Sequence, residues 1–193
     1  YLSNSSLTAD AFEIAYGKDG SGNAQWMASW NSSSKEISFD ANNDITDESA
    51  WSYINISNGG KIETIMWGAG DGESDSSSGS AVTRADAWLA AGRNTSGKVY
   101  VQRTVDGGSN WTSLNLDGLT NISDSTDQDH HIRGMVSDGT GNWMLAQRGN
   151  LYFSSDSGVS FSFLLQPTGD NGHWIRDVVF TNSTWVILVD KGS

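Results

Sequence analysis

Short runs of alternating apolar and polar residues recur along the chain, and each run ends at a group of turn-forming residues. Residues 11–16 alternate with a period of two and stop at Gly17-Lys18-Asp19-Gly20. Such alternation is typical of β-strands with one buried face, and Gly, Asn, Asp and Ser mark the turns between them. The chain has 22 Gly and one Pro, and hardly any segment shows a helical period. The pattern predicts an all-β protein.

The predicted strands group into repeated units of four short antiparallel strands. The units cover residues 11–58, 61–118 and 132–167, and residues 175–193 supply two strands of a fourth. Residues 74–80, a low-complexity acidic stretch, predict a mobile surface loop inside the second unit. In every unit a Trp stands at the start of the second strand: Trp26, Trp88, Trp143 and Trp185. Repetition of one strand unit predicts a single repeat domain over residues 1–193.

Two units share a motif between the third and fourth strands, Ser/Thr-x-Asp-x-Gly-x-x-aromatic. Its two copies are Thr104, Asp106, Gly108 and Trp111, and Ser154, Asp156, Gly158 and Phe161. We expect each Asp to accept hydrogen bonds from its own loop's amides, and each Gly to adopt a conformation closed to other residues. The aromatic residue is expected to enter the core. A decayed copy is predicted at Ser38-x-Asp40-x-Asn42.

The motif resembles the Asp-box, or BNR, repeat of sialidase-like β-propellers. The resemblance implies a propeller of four-stranded antiparallel blades with Asp-box turns, of which about three and a half are visible. It also implies that the Asp residues hold the blade turns and lie away from the catalytic face. Function does not follow from fold. The Arg-Ile-Pro motif of sialidases is absent, because the only Pro, Pro167, has no Arg beside it. A non-catalytic member is therefore favoured.

The N-terminal residues repeat a pattern found near the end of the third unit. Tyr1-Leu2-Ser3-Asn4-Ser5-Ser6 aligns with residues 152–157. Propellers close by joining strands from both chain ends in one blade, which leaves no unpaired edge. Two interpretations stay open. Either residues 1–8 complete the fourth unit and the ring closes with four blades, or the chain, which begins at Tyr1 without Met, is a fragment of a larger propeller.

Two arginines are candidates for ligand binding. Arg133 and Arg176 occupy equivalent positions in the first strands of their units, and first strands line the central channel of a propeller. Such a pair can bind a carboxylate or sulfate on a glycan. His131, His173 and Trp174 flank these strands and complete the candidate set. No catalytic residue is predicted.

Structural roles are the alternative for the same side chains. The arginines can instead stack on Trp174 or pair with Asp129 and Asp177. The neighbouring His130 and His131 would point to opposite faces of a strand, which disfavours a shared metal. No metal site is therefore predicted.

Composition narrows the functional classes. The net charge is -12, and an acidic surface repels nucleic-acid backbones. No Cys is present, which excludes disulfides, and no apolar run is long enough for insertion into a membrane. Acidic runs at residues 40–48, 71–75 and 124–129 make Ca²⁺ a conceivable cofactor, but none has the spacing of a calcium loop. We expect no cofactor.

Three functional hypotheses follow. The first is a non-enzymatic propeller that acts as a structural, decoration or receptor- and glycan-binding module on a virion or cell surface. The composition resembles that of bacteriophage tail and capsid-surface proteins, so its partners would be other structural proteins, copies of itself or surface glycans. The second is a sialidase-like glycoside hydrolase, and the third is a secreted bacterial adhesion propeller. Whether the protein is an enzyme stays open, although the missing Arg-Ile-Pro motif favours the first and third hypotheses. The expected location is extracellular or on a virion surface.

Overall fold

The computed structural model describes most of the chain as antiparallel β-structure. The described residues are 11–30, 37–40, 44, 47, 51–56, 61–75, 82–93, 99–114, 132–147, 149–166 and 173–191. Every regular element in these ranges is a β-strand, and every strand pair is antiparallel. The predicted all-β class is confirmed. No helix in these ranges is long and apolar enough to cross a membrane.

The strands form three four-stranded sheets and two hairpins. The first sheet contains β1 (Ala11–Lys18), β2 (Ala24–Trp30), β3 (Ile37–Asp40) and β4 (Trp51–Ile54), in that order. The chain continues through β5 (Lys61–Gly68), β6 (Ser74–Asp75), β7 (Val82–Thr83), β8 (Ala87–Arg93), β9 (Val99–Thr104) and β10 (Thr112–Ser113). The second sheet has the order β10-β9-β8-β5, and β6 pairs with β7. The third sheet contains β11 (Ile132–Ser137), β12 (Trp143–Gln147), β13 (Asn150–Ser154) and β14 (Ser162–Leu165). The last sheet is the hairpin of β15 (His173–Thr181) and β16 (Thr184–Lys191).

The first two residues of the loop predicted at 74–80, a polar insert in the second sheet, form a short strand. Residues 74 and 75 belong to strand β6, whereas residues 76–80 of the predicted loop lie outside the described residues. The Gly72 N–H donates to the Arg84 carbonyl at 2.9 Å, and the Arg84 N–H donates to the Glu73 carbonyl at 2.9 Å. Backbone pairing at the base therefore makes this insert a hairpin.

A β-bulge recurs at one position in the first strand of four sheets, namely in β1, β5, β11 and β15. The register shifts lie between Ala11 and Glu13, Ile62 and Thr64, Ile132 and Gly134, and Ile175 and Asp177. A bulge inserts one unpaired residue into a strand. The inserted residues are Phe12, Glu63, Arg133 and Arg176, and we call them the bulge row. The predicted equivalence of Arg133 and Arg176 is confirmed.

The sheets pack face to face in chain order, first strand on first strand. Strand β1 contacts β5, β5 contacts β11, and β11 contacts β15. Three apolar clusters fill the spaces between them. Their members include Met27, Ile65 and Trp88 in the first, Leu89, Met135, Trp143 and Tyr152 in the second, and Met144, Leu151, Ile175 and Val178 in the third. Burial of these side chains holds the stack together.

The register of the first sheet corrects one predicted motif. Three equivalent pairs join second and third strands: Met27 with Phe39, Leu89 with Arg103, and Met144 with Phe153. The next residue along each third strand is Asp40, Thr104 or Ser154, so Asp40 occupies the position of the motif's hydroxyl residue. The Asp motif predicted at Ser38-x-Asp40-x-Asn42 is therefore wrong by two residues. Asn42 lies outside the described residues, as do residues 1–8.

Candidate functional site

Two turns at the same end of the second and third sheets have the same hydrogen bonds. In the second sheet, the Thr104 hydroxyl donates to Asp106 Oδ1 at 2.6 Å and accepts from the Gly108 N–H at 3.2 Å. Asp106 Oδ1 also accepts from the Asn110 N–H at 2.9 Å. The Trp111 indole donates to the Gly108 carbonyl at 3.1 Å. This turn satisfies its own backbone donors, as predicted.

The turn of the third sheet repeats this network in a more buried setting. The Ser154 hydroxyl donates to Asp156 Oδ1 at 2.7 Å and accepts from the Gly158 N–H at 2.9 Å. Asp156 accepts from the N–H and the hydroxyl of Ser160 at 2.9 and 2.6 Å. Phe161 is buried, as predicted for the aromatic position. The hydroxyl at the first motif position is thus a central acceptor, a role that the sequence interpretation did not assign.

The left-handed conformation covers two successive residues in each turn rather than one. Gly107 and Gly108 have φ values of 70° and 96°, and Ser157 and Gly158 have values of 59° and 73°. A Cβ at Gly158 would lie 2.6 Å from a methyl carbon of Leu89 in the preceding sheet. Gly158 is therefore required both by its conformation and by close packing.

A second pair of equivalent turns, which the sequence interpretation missed, joins the first and second strands. Asp19 Oδ1 accepts from the Ser21 and Asn23 N–H groups, both at 2.8 Å. Asp138 Oδ1 accepts from the Thr140 and Asn142 N–H groups at 2.8 and 3.1 Å. The signal is present in the sequence as Asp-Gly-Ser-Gly-Asn at 19–23 and Asp-Gly-Thr-Gly-Asn at 138–142.

The Asp turns are also fastened to the preceding sheet. The Gln25 amide donates to the Gly107 carbonyl at 3.1 Å, and the Arg103 Nε donates to the Ser157 carbonyl at 2.8 Å. Burial lowers the pKa of Arg103, while attraction to Asp156 raises it in part. These contacts join neighbouring sheets, so the turns have a structural role in both places.

A cavity of about 740 Å³ opens between the first and second sheets at this end, and it is acidic. Asp19, Asp40 and Asp106 are among its lining residues. The side-chain hydrogen bond from Asn23 lowers the pKa of Asp19. For Asp106, partial burial acts to raise the pKa, but hydrogen bonds from Thr104 and Asn110 outweigh it and the pKa is lowered. The two turn carboxylates are therefore anionic at neutral pH and already engaged in their own loops.

Among the described residues, no group of three His, Asp or Glu side chains is placed to bind a metal ion. Asp71, in the second acidic run of the sequence, pairs with Arg84 at 2.6 Å. Asp40 is buried at the end of β3. The third acidic run, residues 124–129, lies outside the described residues.

Carboxylates on the inner strands link the first sheet to the second and the second sheet to the third. Glu13 Oε2 accepts from the Ile65 N–H at 3.0 Å. Glu63 Oε2 accepts from the Ile132 N–H at 3.3 Å, while its Oε1 accepts from Arg93 Nε at 2.7 Å. The Glu63 side chain is only 7% exposed. Charge-assisted hydrogen bonds are stronger than neutral ones, so these contacts fix the sheets against one another.

Arg176 is held by two neighbours on the last sheet. Its Nη2 and Nε lie 2.6 and 3.2 Å from Asp190 Oδ2, and its guanidinium lies 5.2 Å from the centre of the Trp174 ring. The stacking is the structural alternative considered for this arginine, whereas its carboxylate partner is Asp190 and not Asp177. Because both charged side chains are more than a third exposed, this pair contributes little to stability.

Arg133 stands in a different environment from Arg176 despite their equivalent strand positions. It is half-buried, and its Nε is buried with no hydrogen-bond partner in the described part of the chain. A guanidinium carries only N–H donors, and this Nε is closed to solvent, so an external ligand cannot reach it. His131 lies outside the described residues. The backbone of His173 pairs with Lys191, and its side chain is not described.

Comparison of the sequence with protein-family models gives no match, and no curated protein matches it.

Proposed function

We propose that this protein is a non-enzymatic β-propeller of the Asp-box class that serves as a structural or binding module on a virion or cell surface. Support for the propeller comes from sheets that repeat one meander and contact one another through their first strands, in chain order. The two equivalent Asp turns support the Asp-box assignment. The acidic, Cys-free composition favours the surface location.

The main support for a structural role is that the carboxylates of the inner strands bind backbone N–H groups of the neighbouring sheet. Most glycosidases need two carboxyl groups that face the substrate, and a sialidase, whose nucleophile is a Tyr, still needs a Glu beside that Tyr and an acidic proton donor. Here Glu13 and Glu63 accept backbone N–H groups of the neighbouring sheet. Their oxygens serve sheet packing, which favours a scaffold over a hydrolase.

Glycoside turnover tests this proposal. The protein is incubated with sialyl-lactose and with a panel of fluorogenic glycosides, and we expect no product above the rate of buffer alone. Glu63→Gln is the matched variant, because it keeps the side-chain shape and removes the charge. Hydrolysis by the wild type that disappears in Glu63→Gln, while the variant stays folded, would show that the carboxylate is catalytic and overturn the proposal.

Glycan binding is a second candidate function, because Arg133 is only half-buried and forms no ion pair with a carboxylate of the described residues. A hydrogen bond to a charged group contributes about 1.5–3 kcal/mol, so Arg133→Gln should weaken binding of a sialylated or sulfated glycan by roughly tenfold or more. Arg176→Gln is the control, since that guanidinium already pairs with Asp190. Glycan-array or calorimetric titration measures both, and an equal loss in the two variants would contradict the role of Arg133.

A further inference from the structure

The two ends of the stack of sheets expose apolar faces that are buried everywhere else. At the last sheet, Val186 is 46% exposed, whereas its equivalents on the preceding second strands, Met27, Leu89 and Met144, are 0%, 0% and 3% exposed. These four residues are equivalent because each directly follows the Trp at the start of its second strand. Leu188, two residues further along β16, is 61% exposed. The outer face of the last sheet therefore has the composition of a packed face, but it has no neighbour among the described residues.

The first sheet, at the other end of the stack, also has an exposed apolar side chain at a position that is buried in the other sheets. Ile14 is 41% exposed, whereas its equivalents Ile65, Met135 and Val178 are 0%, 3% and 3% exposed. These four residues pair with the residue two positions after the Trp of the second strand. Tyr16 on the same strand is 54% exposed. The exposed part of this face is confined to β1, because Ala28 on β2, which pairs with Ile14, is buried in a cluster with Trp30 and Trp51.

The two exposed faces are of complementary kinds. Wherever two neighbouring sheets pack together, the equivalent of Val186 in one sheet lies in the same apolar cluster as the equivalent of Ile14 in the next sheet. The three examples are Met27 with Ile65, Leu89 with Met135, and Met144 with Val178. If one more sheet packed on the last sheet in the same way, Val186 would contact a residue equivalent to Ile14. Every copy of the chain carries one face of each kind.

We propose that a second copy of this chain supplies the missing neighbour, so that the Val186 face of one copy packs on the Ile14 face of the next. This inference rests on the proposed structural role and names its partner. The contact is heterologous, joining different surfaces of identical chains, and such contacts build rings or open filaments. Because each copy carries a charge of -12, added salt strengthens the association by screening the repulsion.

Complementation between two face variants tests this proposal by sedimentation velocity and light scattering. Val186→Asp blocks one face and Ile14→Asp the other, so each variant alone should have the 20.7 kDa mass of a single chain. An equimolar mixture still contains one intact face of each kind, and it should form a species of twice that mass. A variant that fails to fold cannot complement, so the mixture also controls for folding. Phe163→Asp, on the exposed strand β14 away from both faces, should associate like the wild type.

Three results would overturn the inference. They are a wild type that stays at the mass of one chain at high concentration and high salt, a mixture that does not associate although both variants keep native Trp fluorescence, and a single face variant that associates alone. The Cys-free chain allows one further arm, because Ile14→Cys and Val186→Cys introduced together give a single cysteine pair. A disulfide that joins copies supports the proposal, and one that closes within a chain at high dilution refutes it. If the protein stays monomeric and hydrolyses no glycoside, only this inference is refuted. If it associates and does hydrolyse a glycoside, only the proposed non-enzymatic function is refuted.

Discussion

Asp156→Ala should destabilise the protein far more than the same change at the equivalent Asp106. Asp156 is 3% exposed and receives three hydrogen bonds, from the Ser154 hydroxyl and from the N–H and hydroxyl of Ser160. Alanine removes these acceptors, and a buried donor without a partner costs about 1–3 kcal/mol. It also removes the attraction between this carboxylate and the partly buried guanidinium of Arg103. We expect a loss of about 3 kcal/mol in the free energy of unfolding.

The Asp106 turn is a suitable control for the Asp156 turn, because it has the equivalent hydrogen bonds in a more exposed position. Asn110 supplies both its N–H and its side-chain amide to Asp106 at the surface. Water replaces the lost carboxylate there, so Asp106→Ala should cost only about 1 kcal/mol. For a domain of this size 1 kcal/mol corresponds to about 2–4 °C in Tm. The expected shifts are therefore about 6–12 °C for Asp156→Ala and about 2–4 °C for Asp106→Ala.

Trp fluorescence during thermal and urea unfolding measures both variants. An Asp156→Asn variant separates charge from shape, since it keeps an oxygen acceptor and loses the negative charge beside Arg103. If Asp106→Ala costs as much as Asp156→Ala, burial does not set the strength of these turns. If Asp156→Ala leaves stability unchanged but abolishes binding of a ligand, the turn is a binding site and its structural assignment fails.

Three further predictions address pH and sheet packing. Partial burial acts to raise the pKa of Asp138, but hydrogen bonds from Asn142 and Thr140 outweigh it, so its pKa lies below the ordinary 3.8. Its stabilising contribution is therefore present above about pH 3.8 and lost as the pH falls below it, and Asp138→Asn should flatten the acid limb of a stability–pH curve. Burial raises the pKa of Tyr152 to about 12. Its contribution is complete below pH 10 and lost between about pH 10 and 12 as the unfolded state ionises, so Tyr152→Phe should delay alkaline unfolding while Tyr16→Phe, at an exposed position, should not. Glu63→Gln should lower the free energy of unfolding by about 1–3 kcal/mol in urea titrations, because Arg93 and the Ile132 N–H lose a charged acceptor, and Glu73→Gln on the exposed hairpin should have no effect.

The sequence predicted the local elements well because their signals are local. Alternation and turn residues located the strands, and the spacing of Asp156 and Gly158 specified the turn that the structure contains. The interpretation at Asp40 failed for a reason that is equally physical. Register is set by cross-strand pairing, and a two-residue offset keeps every side chain on the same face, so hydrophobic alternation could not detect it.

The partners of charged side chains were harder to predict, because they depend on packing between sheets. Arg133 and Arg176 look alike in sequence, each following an Ile at the start of a unit. Only the structure separates them, since Arg176 reaches Asp190 across the hairpin while the Nε of Arg133 is buried with no partner in the described part of the chain. Glu63 reaches a backbone N–H in the next sheet, a contact that no spacing along the chain encodes.

The bulge row explains how one repeated backbone can support different chemistry in each sheet. A bulge leaves its extra residue outside the pairing ladder, so the position places little demand on side-chain type. An aromatic residue, an acid and two arginines occupy it here, with the same register shift around each. Because the ladder does not depend on these residues, substitutions at Arg133 should leave the sheet intact. The Asp turns are the opposite case, since their side chains close their own loops and fasten them to the preceding sheet. Within this fold, Arg133 can therefore be replaced without loss of the Asp turns, whereas Glu63, in the same bulge row, also ties its sheet to the next one.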